Sequence, residues 1–299
     1  MSLIIATCQN VPHWEKDDRP FHAALEELGI PFEIKAWDEP SFLNEDTKAV
    51  LIRTTWDYQE KPEAYMKWAQ DTAKRVPLLN GPSVVTWNAK KTYLRDLHEA
   101  GAPLAPTIWL QKGDAVNVKQ VLQKNDWTQG FIKPVFGATA RGTCRFGDGL
   151  STVDEAQVHL DQWLANEDMM IQPYLKSVET EGEISLLYMG GEFSHAVQKI
   201  PVPGDYRVQD DFDAKDFPVE APEELHQLSE TILETAKSCI QKRFGEVPFF
   251  HYARVDLMKA SDGQYVVGEL ELIEPSLFMR HDPQAGMRLA RHVQSILKK

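Results

Sequence analysis

Ala253-Arg254-Val255-Asp256-Leu257-Met258 and, one turn later, Tyr265-Val266-Val267-Gly268-Glu269-Leu270-Glu271-Leu272-Ile273-Glu274-Pro275 alternate apolar and polar residues. That period belongs to strands with one buried and one polar face. The link Ser261-Asp262-Gly263-Gln264 is turn chemistry and predicts an antiparallel hairpin. Side chains repeat every two residues, so Glu269 and Glu271 share a face, and Asp256 on the partner strand can join them. Three adjacent carboxylates repel one another unless a cation sits among them. A hard divalent ion such as magnesium is held by one or two carboxylates plus substrate phosphates. Arg254 projects from the same face as Asp256 and suits a phosphoryl group. The competing reading is a solvated acidic face on an edge hairpin. The intervening Val, Leu and Ile argue instead for a buried opposite face.

Outward from this hairpin, the chain has 299 residues, 42% of them apolar, enough for two or three lobes with cores. The net charge of −13 argues against a nucleic-acid or anionic-membrane partner. It does not exclude a nucleotide in a local pocket. There is no basic-then-apolar leader and no apolar run of membrane-spanning length, the features expected of a cytoplasmic protein. Cys8, Cys144 and Cys239 are far apart and odd in number, which suits buried structural thiols in a reducing compartment.

The first 82 residues alternate in type. Leu3 to Cys8 reads as a buried strand, Phe21 to Leu28 as a helix stopped by Gly29, and Phe32 to Ile34 and Val50 to Arg53 as strands. Pro62 to Ala73 is helical and Leu78-Leu79 leads into the turn Asn80-Gly81-Pro82. This order predicts a small α/β domain with a mostly parallel sheet. One helix is expected from Ser83 to Gly101. Strands then come in pairs, at 131–133, 143–146, 170–172, 184–188 and 194–197, with a helix at 153–164. Pro201 to Pro222 reads as a long, Pro-rich functional loop. A long amphipathic helix at 223–244 precedes the hairpin, and a helix at 283–297 closes the chain.

Phosphates need a cradle as well as a metal. Phe131-Ile132-Lys133-Pro134-Val135-Phe136 carries a lysine in apolar company, and Gly137-Ala138-Thr139-Ala140-Arg141-Gly142 follows. Small residues let backbone N–H groups approach phosphate oxygens. The arrangement suits a triphosphate without being the Walker pattern, which needs Gly-Lys-Ser/Thr opening a helix. Lys90 and Lys91 follow Trp87-Asn88; two lysines on a helix are ordinarily surface charges. Arg53-Thr54-Thr55-Trp56-Asp57-Tyr58 follows a strand, and ligands favour the carboxyl ends of parallel strands. Arg53 is a candidate carboxylate clamp and Asp57 an ammonium site; the alternative is a structural Arg–Asp pair with Trp56 in the core. His195 is read either as a substrate-side base or as a satisfied strand residue.

Taken in order, the asparagine-then-lysine segment, the Lys-Pro strand with its small-residue loop, Ile171-Gln172-Pro173-Tyr174-Leu175, Arg254-x-Asp256 and Glu269-x-Glu271 with a proline four residues on resemble the ATP-grasp ligases. The resemblance covers roughly Ser83 to Lys299. Within that superfamily it points to the glutathione synthetase and ribosomal-protein glutamate ligase group. Trp87-Asn88-x-x-Lys91-x-Tyr93-Leu94, Gly182-Glu183-x-Ser185, Phe193-Ser194-His195-Ala196-Val197-x-Lys199 and Glu269 to Pro275 resemble the branch containing the O-ureido-serine cycloligase of cycloserine biosynthesis.

What the resemblance implies is an α/β (α+β) protein: an N-terminal α/β domain at 1–82, a small ATP-grasp lobe at 83–172 and a large lobe at 173–299, with ATP sandwiched between antiparallel sheets. It assigns ATP contacts to Lys91, Lys133, Gly137, Ala138, Thr139, Gln172, Tyr174, Leu175 and Glu179, with Lys90 the alternative to Lys91. Mg²⁺, with Mn²⁺ as the alternative, falls to Asp256, Glu269 and Glu271. Arg254, Lys199 and Arg207 become the catalytic cations, and Arg53, Asp57 and His195 the substrate contacts. One departure stands out: after Arg207, Gln209-Asp210-Asp211-Phe212 replaces the Gly-Gly element of glutathione synthetases. The implied activity is phosphorylation of a small amino-acid-like substrate and attack by a nitrogen, within the same molecule in the cycloligase manner. An intermolecular carboxylate–amine ligase, a small-molecule kinase and a non-catalytic nucleotide-binding protein are the alternatives, and a homo-oligomer is compatible with each.

Overall fold

The strand patterns close into three separate sheets. The computed structural model describes residues 2–11, 16–137, 140–147, 151–208 and 212–298. The first sheet contains β1 (Ser2–Thr7), β2 (Phe32–Ala36), β3 (Thr47–Thr54) and β4 (Leu78–Leu79) in the order β2-β1-β3-β4. It is parallel throughout. All six residues of β1 are buried, as expected where helices cover both faces of a parallel sheet. Phe21 and Leu25 of α1 (Arg19–Glu27) pack on Leu3 and Ile5. Tyr65 and Ala69 of α2 (Pro62–Ala73) pack on Ile4, Val50 and Ile52.

The helix expected from Ser83 to Gly101 is two helices, α3 (Pro82–Asn88) and α4 (Tyr93–Glu99). The Asn88 side chain causes no continuation of the helix surface here, because it is engaged elsewhere: Nδ2 donates to Leu270 O and Oδ1 accepts from Leu272 N, each at 2.8 Å. The Lys91 backbone N–H donates to Val135 O rather than to the helix, at 2.8 Å.

The second sheet has the order β5-β8-β6-β7, from β5 (Ile108–Leu110), β6 (Gly130–Pro134), β7 (Cys144–Phe146) and β8 (Met169–Pro173), all antiparallel. Helices α5 (Val118–Asn125) and α6 (Val153–Leu164) back it through Leu122, Leu160 and Leu164. Thr152 and Glu155 form a capping box that sets the start of α6. After the short α7 (Ser177–Thr180), the third sheet is antiparallel, in the order β11-β10-β9-β12-β13. Its members are β9 (Glu183–Met189), β10 (Glu192–Ile200), β11 (Lys215–Val219), β12 (Tyr252–Lys259) and β13 (Tyr265–Glu271). Helix α8 (Glu223–Phe244) lies behind it.

One further expectation needs correction, and two packing relations go beyond the sequence pattern. The segment 201–222 is not loop throughout, because β11 pairs with β10; as an edge strand it tolerates Pro218. Helices α3 and α4, grouped by sequence order with the small lobe, bury Trp87, Leu94 and Leu97 against Ile232, Leu233 and Leu270 of the large-lobe core. The closing helix α9 (Ala285–Leu297) returns to the first sheet, with Leu289, Ala290 and Val293 in one cluster with Leu3 and Phe21. Its strong amphipathic pattern shows that one face is buried, but not against which sheet.

The return of α9 leaves almost no room at its first turn. A Cβ on Gly286 would lie 2.4 Å from the carbonyl carbon and oxygen of Pro20. Gly286→Ala is expected to force α9 and α1 apart and lower stability by about 1–3 kcal/mol, the range for overpacking. Calorimetric melting checks this, and an unchanged Tm would mean that the two helices are free to separate.

Candidate active site

On the polar face of the third sheet, antiparallel register sets Asp256 of β12 opposite Glu269 of β13, and Arg254 opposite Glu271. On the other side of β12, Asp256 stands opposite Ser185 of β9. One oxygen from each of Asp256, Glu269 and Glu271 can be chosen so that all three lie within 4.8 Å of one another. Glu269 and Glu271 are half-buried and Asp256 is fully buried. An all-carboxylate oxygen set of this kind fits a hard divalent cation such as Mg²⁺ or Mn²⁺.

Without a cation these charges are balanced by protein groups. Arg254 Nε donates to both Asp256 oxygens at 3.0 Å, and its Nη2 pairs with Glu271. Lys91 Nζ donates to Glu269 Oε1 at 2.6 Å and to Gly137 O at 3.0 Å. Lys199 pairs with Glu183 and lies 3.4 Å from Asp256. Burial alone would raise the Asp256 and Glu269 carboxyls; Arg254 then Lys199 overcome it at Asp256, Lys91 then Lys133 at Glu269, and both end below the ordinary value. Glu271 is different. Burial, with repulsion from Glu269 and Asp256, outweighs Arg254 and pushes it up to about 7.

Across from this face lies the second sheet, and between the two sheets is a cleft with a cavity volume of about 160 Å³. Phe131, Lys133, Gly137 and Thr143 line it from the small lobe; Glu183, Met258, Val267 and Glu269 line it from the large lobe. Gln172, Tyr174 and Leu175 form the strip joining the lobes, and Tyr206 to Val208 close one side. Gly137 sits at φ 149, a conformation that side chains rarely adopt. Lys133 projects into the cleft, and among the described residues no hydrogen bond or ion pair reaches its Nζ. Burial first, then the Lys91 charge, pushes it down to about 8. A half-buried ammonium facing the cleft, with no partner among the described residues, is suited to anionic oxygens.

Several expected residues are placed differently. Lys91, not the exposed Lys90, reaches the cleft. Arg53 is 1% exposed, donates to Asp18 at 2.8–3.2 Å and to Pro275 O at 2.9 Å, and is not available as a clamp. Asp57 accepts from the Trp37 indole at 2.7 Å. His195 sits between Ser194 Oγ and Phe278 O, at 2.9 and 3.2 Å. Glu179 is held by Arg145 and by the Tyr174 hydroxyl, at 3.0 and 2.8 Å. Arg207 lies beside the cleft, but its guanidinium pairs with Asp205 and stacks on Phe212 at 3.8 Å. Lys199 is a buried counter-charge between two carboxylates rather than an open cation. Ala138 and Thr139 lie outside the described residues.

The sequence motifs contain Glu183, Ser185 and Glu274 but assign them no role. Glu183 and Ser185 stand two apart on β9, the spacing that already placed Glu269 and Glu271 on one face. Glu274 follows the β13 strand and is half-buried. Burial first, then repulsion from Glu271 and Glu269, pushes its carboxyl up to about 8.

Residues 3–80 match the family described as the N-terminal domain of D-cycloserine synthetase DcsG. Along 296 residues the chain is 27% identical to the cycloserine biosynthesis protein DcsG of Streptomyces lavendulae, with 94% of each chain covered. Its fold matches the crystal structure of D-cycloserine synthetase DcsG with a TM-score of 0.83 at 24% identity, covering 99% of this chain and 100% of that one. It also matches the ATP-grasp ligase PsnB, complexed with a phosphomimetic variant of its minimal precursor, Mg and ADP. There the TM-score is 0.64 at 13% identity, covering 100% of this chain and 99% of that one. No helix among the described residues is long and apolar enough to cross a membrane.

The Glu274 carboxyl yields a prediction with a definite sign. Its ordinary value is 4.5 and its folded value about 8. Below the first, folded and unfolded chains are both protonated and the shift has no effect. As pH rises towards the second, the folded chain keeps a proton that the unfolded chain has lost, so stability falls across that window. Glu274→Gln should therefore raise the Tm of nucleotide-free protein at pH 8, with the gain shrinking towards pH 5. A Tm below wild type at pH 8 would show that the carboxylate has a stabilising partner.

Proposed function

We propose that this chain is an ATP-grasp enzyme and works as an ATP-dependent ligase that forms a carbon–nitrogen bond on a small amino-acid-like substrate, in the manner of cycloserine-forming enzymes. The observation that carries this reading is the pairing of the Asp256, Glu269 and Glu271 face with Lys133 and Lys91 across a cleft between two antiparallel sheets. The N-terminal family match and the DcsG relative favour O-ureido-serine as the substrate and ring closure within it as the outcome.

A carboxylate does not react with a nitrogen at neutral pH, because oxide would have to leave. Transfer of the γ-phosphoryl group gives an acyl phosphate whose leaving group is phosphate, and the nitrogen then displaces it. The protein's part is positioning and charge neutralisation. Asp256, Glu269 and Glu271 would hold a divalent ion, which would supply positive charge to the phosphate oxygens. Lys133 and Lys91 meet the triphosphate, and Arg254 meets charge that grows as the phosphoryl group moves. Tyr206 hydrogen-bonds to Thr143 Oγ1 at 2.8 Å and meets the Phe131 ring edge-on at 5.1 Å. It thereby ties residues 206–208 to the small lobe along one side of the cleft.

Glu269→Gln and Asp256→Asn are expected to leave a folded protein whose ATP turnover falls roughly 10²–10³-fold. Measurement of ADP release with Mg²⁺ checks this, and near-wild-type turnover in either variant would remove the metal assignment. Lys133→Ala should weaken ATP binding itself, whereas Arg254→Ala should lower mainly kcat. Calorimetric titration of ATP separates the two, and unchanged affinity in the Lys133 variant counts against the pocket as described. The reaction class is tested with O-ureido-serine and MgATP by following ADP, phosphate and product together. Equal release of ADP and phosphate without a second amine supports ring closure. A requirement for a second amine indicates an intermolecular ligase, and a stable phosphorylated compound without free phosphate indicates a kinase.

A further inference from the structure

Phe278 lies in the loop that follows the carboxylate hairpin and is buried. Its backbone is left-handed, at φ 47 and ψ 35, a conformation that costs energy for any residue carrying a Cβ. Such strain persists only where the surroundings enforce it, and it gathers at functional sites. Here a chain of hydrogen bonds enforces it. Arg288, anchored on Asp282 at 2.5 Å, donates to Ser194 Oγ at 3.0 Å. The Phe278 carbonyl can only accept, so His195 Nε2 carries the hydrogen of the 3.2 Å contact between them. Burial holds the His195 imidazole below its ordinary value and so neutral. Nδ1 is then an acceptor and receives the Ser194 hydroxyl at 2.9 Å. The ring mounted in this way collects cations. Its centroid lies 5.7 Å from Arg254 Cζ, 6.0 Å from Lys199 Nζ and 5.1 Å from Arg280 Cζ. An aromatic face attracts a cation within about 6 Å and uses none of its hydrogen-bond donors. Arg254 therefore keeps Nε on Asp256, Nη2 on Glu271 and Nη1 on Ser276 O. A side chain that only filled space would need neither the strained backbone nor the tether.

We propose that Phe278 is a positioning residue for phosphoryl transfer: its ring sets the Arg254 guanidinium, and His195 holds the ring in place through the Phe278 carbonyl. This rests on the ligase reading given above. In that transfer a substrate carboxylate oxygen bonds to the γ-phosphorus, the bond from that phosphorus to the bridging oxygen breaks, and ADP leaves with the electron pair. Charge spreads over the phosphoryl oxygens on the way, and a cation stabilises it best from a fixed position. Asp256, Glu271 and Ser276 O hold Arg254 by its N–H groups. The ring supports the guanidinium carbon, which no hydrogen bond reaches. Lys199, the counter-charge between Glu183 and Asp256, rests on the same ring.

Wild type, Phe278→Leu, Phe278→Tyr and His195→Ala are compared in two measurements. The first is ADP release with O-ureido-serine and MgATP. Phe278→Leu should lose about tenfold in kcat, the scale of a cation–π contact away from water, with KM for ATP within about threefold of wild type. Phe278→Tyr keeps the ring and should stay within about threefold on both. The second measurement is the NMR spectrum of nucleotide-free, arginine-labelled protein, with the Arg254 Nε–H signal identified by its loss in Arg254→Lys. A ring close by shifts that signal, so Phe278→Leu should move it and Phe278→Tyr should leave it in place. His195→Ala keeps the ring and frees its mount. It should move the signal part of the way and lower kcat about three- to tenfold, the scale of one neutral hydrogen bond; it carries the test if Phe278→Leu does not fold. An Arg254 signal that neither Phe278→Leu nor His195→Ala moves would overturn the proposal. So would wild-type kcat in Phe278→Leu, equal losses in the two Phe278 variants, or a rise in KM that matches the fall in kcat. Absence of ADP release by wild type would overturn the ligase reading, and the role of Phe278 in transfer with it; the Arg254 signal needs no turnover and tells that failure from a failure of the contact itself.

Discussion

Carboxylates gathered on one sheet face can stay ionised only if positive charge stands beside them, and much of this molecule is arranged to meet that constraint. Asp256 has Arg254, Lys199 and the Ser185 hydroxyl; Glu269 has Lys91; Glu183 has Lys199. These partners come from three strands of one sheet and from the break between α3 and α4. The sheet order β11-β10-β9-β12-β13 places Lys199 one strand beyond Ser185, within reach of Asp256. Had β10 carried an apolar residue in place of Lys199, Asp256 would have been a buried carboxylate with only Arg254 and the Ser185 hydroxyl opposing its desolvation.

The same constraint explains why the N-terminal domain matters to a site it does not line. Its Arg53, Trp56 and Asn80 hold backbone carbonyls of the segment that follows Glu271, and Asn80 also accepts from His251 N at 2.7 Å. The parallel sheet is thereby joined to both strands of the carboxylate hairpin. Packing reinforces the joint, because α9 leaves the large lobe and buries Leu289 and Val293 against β1 and α1. Rigidity at the metal face is thus supplied from the opposite end of the sequence.

Local pattern made the hairpin legible, because Glu269, Glu271 and Asp256 need only the period of a strand and one turn to come together. It also placed Lys133 on a strand and Gly137 after it. The errors share a different cause. Arg53 and Asp57 looked like a matched pair four residues apart, but each found a partner distant in sequence, Asp18 and Trp37. His195 was drawn to a carbonyl 83 residues away. Lys199, expected as a catalytic cation, meets two carboxylates, Glu183 and Asp256, that lie on other strands. The break after Asn88 depended on hydrogen bonds to β13, which no helical periodicity reveals. What the sequence could not convey was which charges the fold had already paired.

That distinction bears on how the site changes when a nucleotide enters. Among the described residues Lys133 has no partner to give up, and a phosphate beside it would offset both the burial and the Lys91 repulsion that push it down to about 8. Lys91 is already bound to Glu269 and to Gly137 O. Its transfer to a phosphate would remove the cation that holds Glu269 ionised, just where a divalent ion would replace it. On the proposed reading, the lysine and the metal exchange partners, so each makes the other's binding less costly. Such reciprocity is required of any two ligands that share a coupled set of charges. It also explains why carboxylates destined for a metal can be neutralised by lysine and arginine in its absence without closing the site to it.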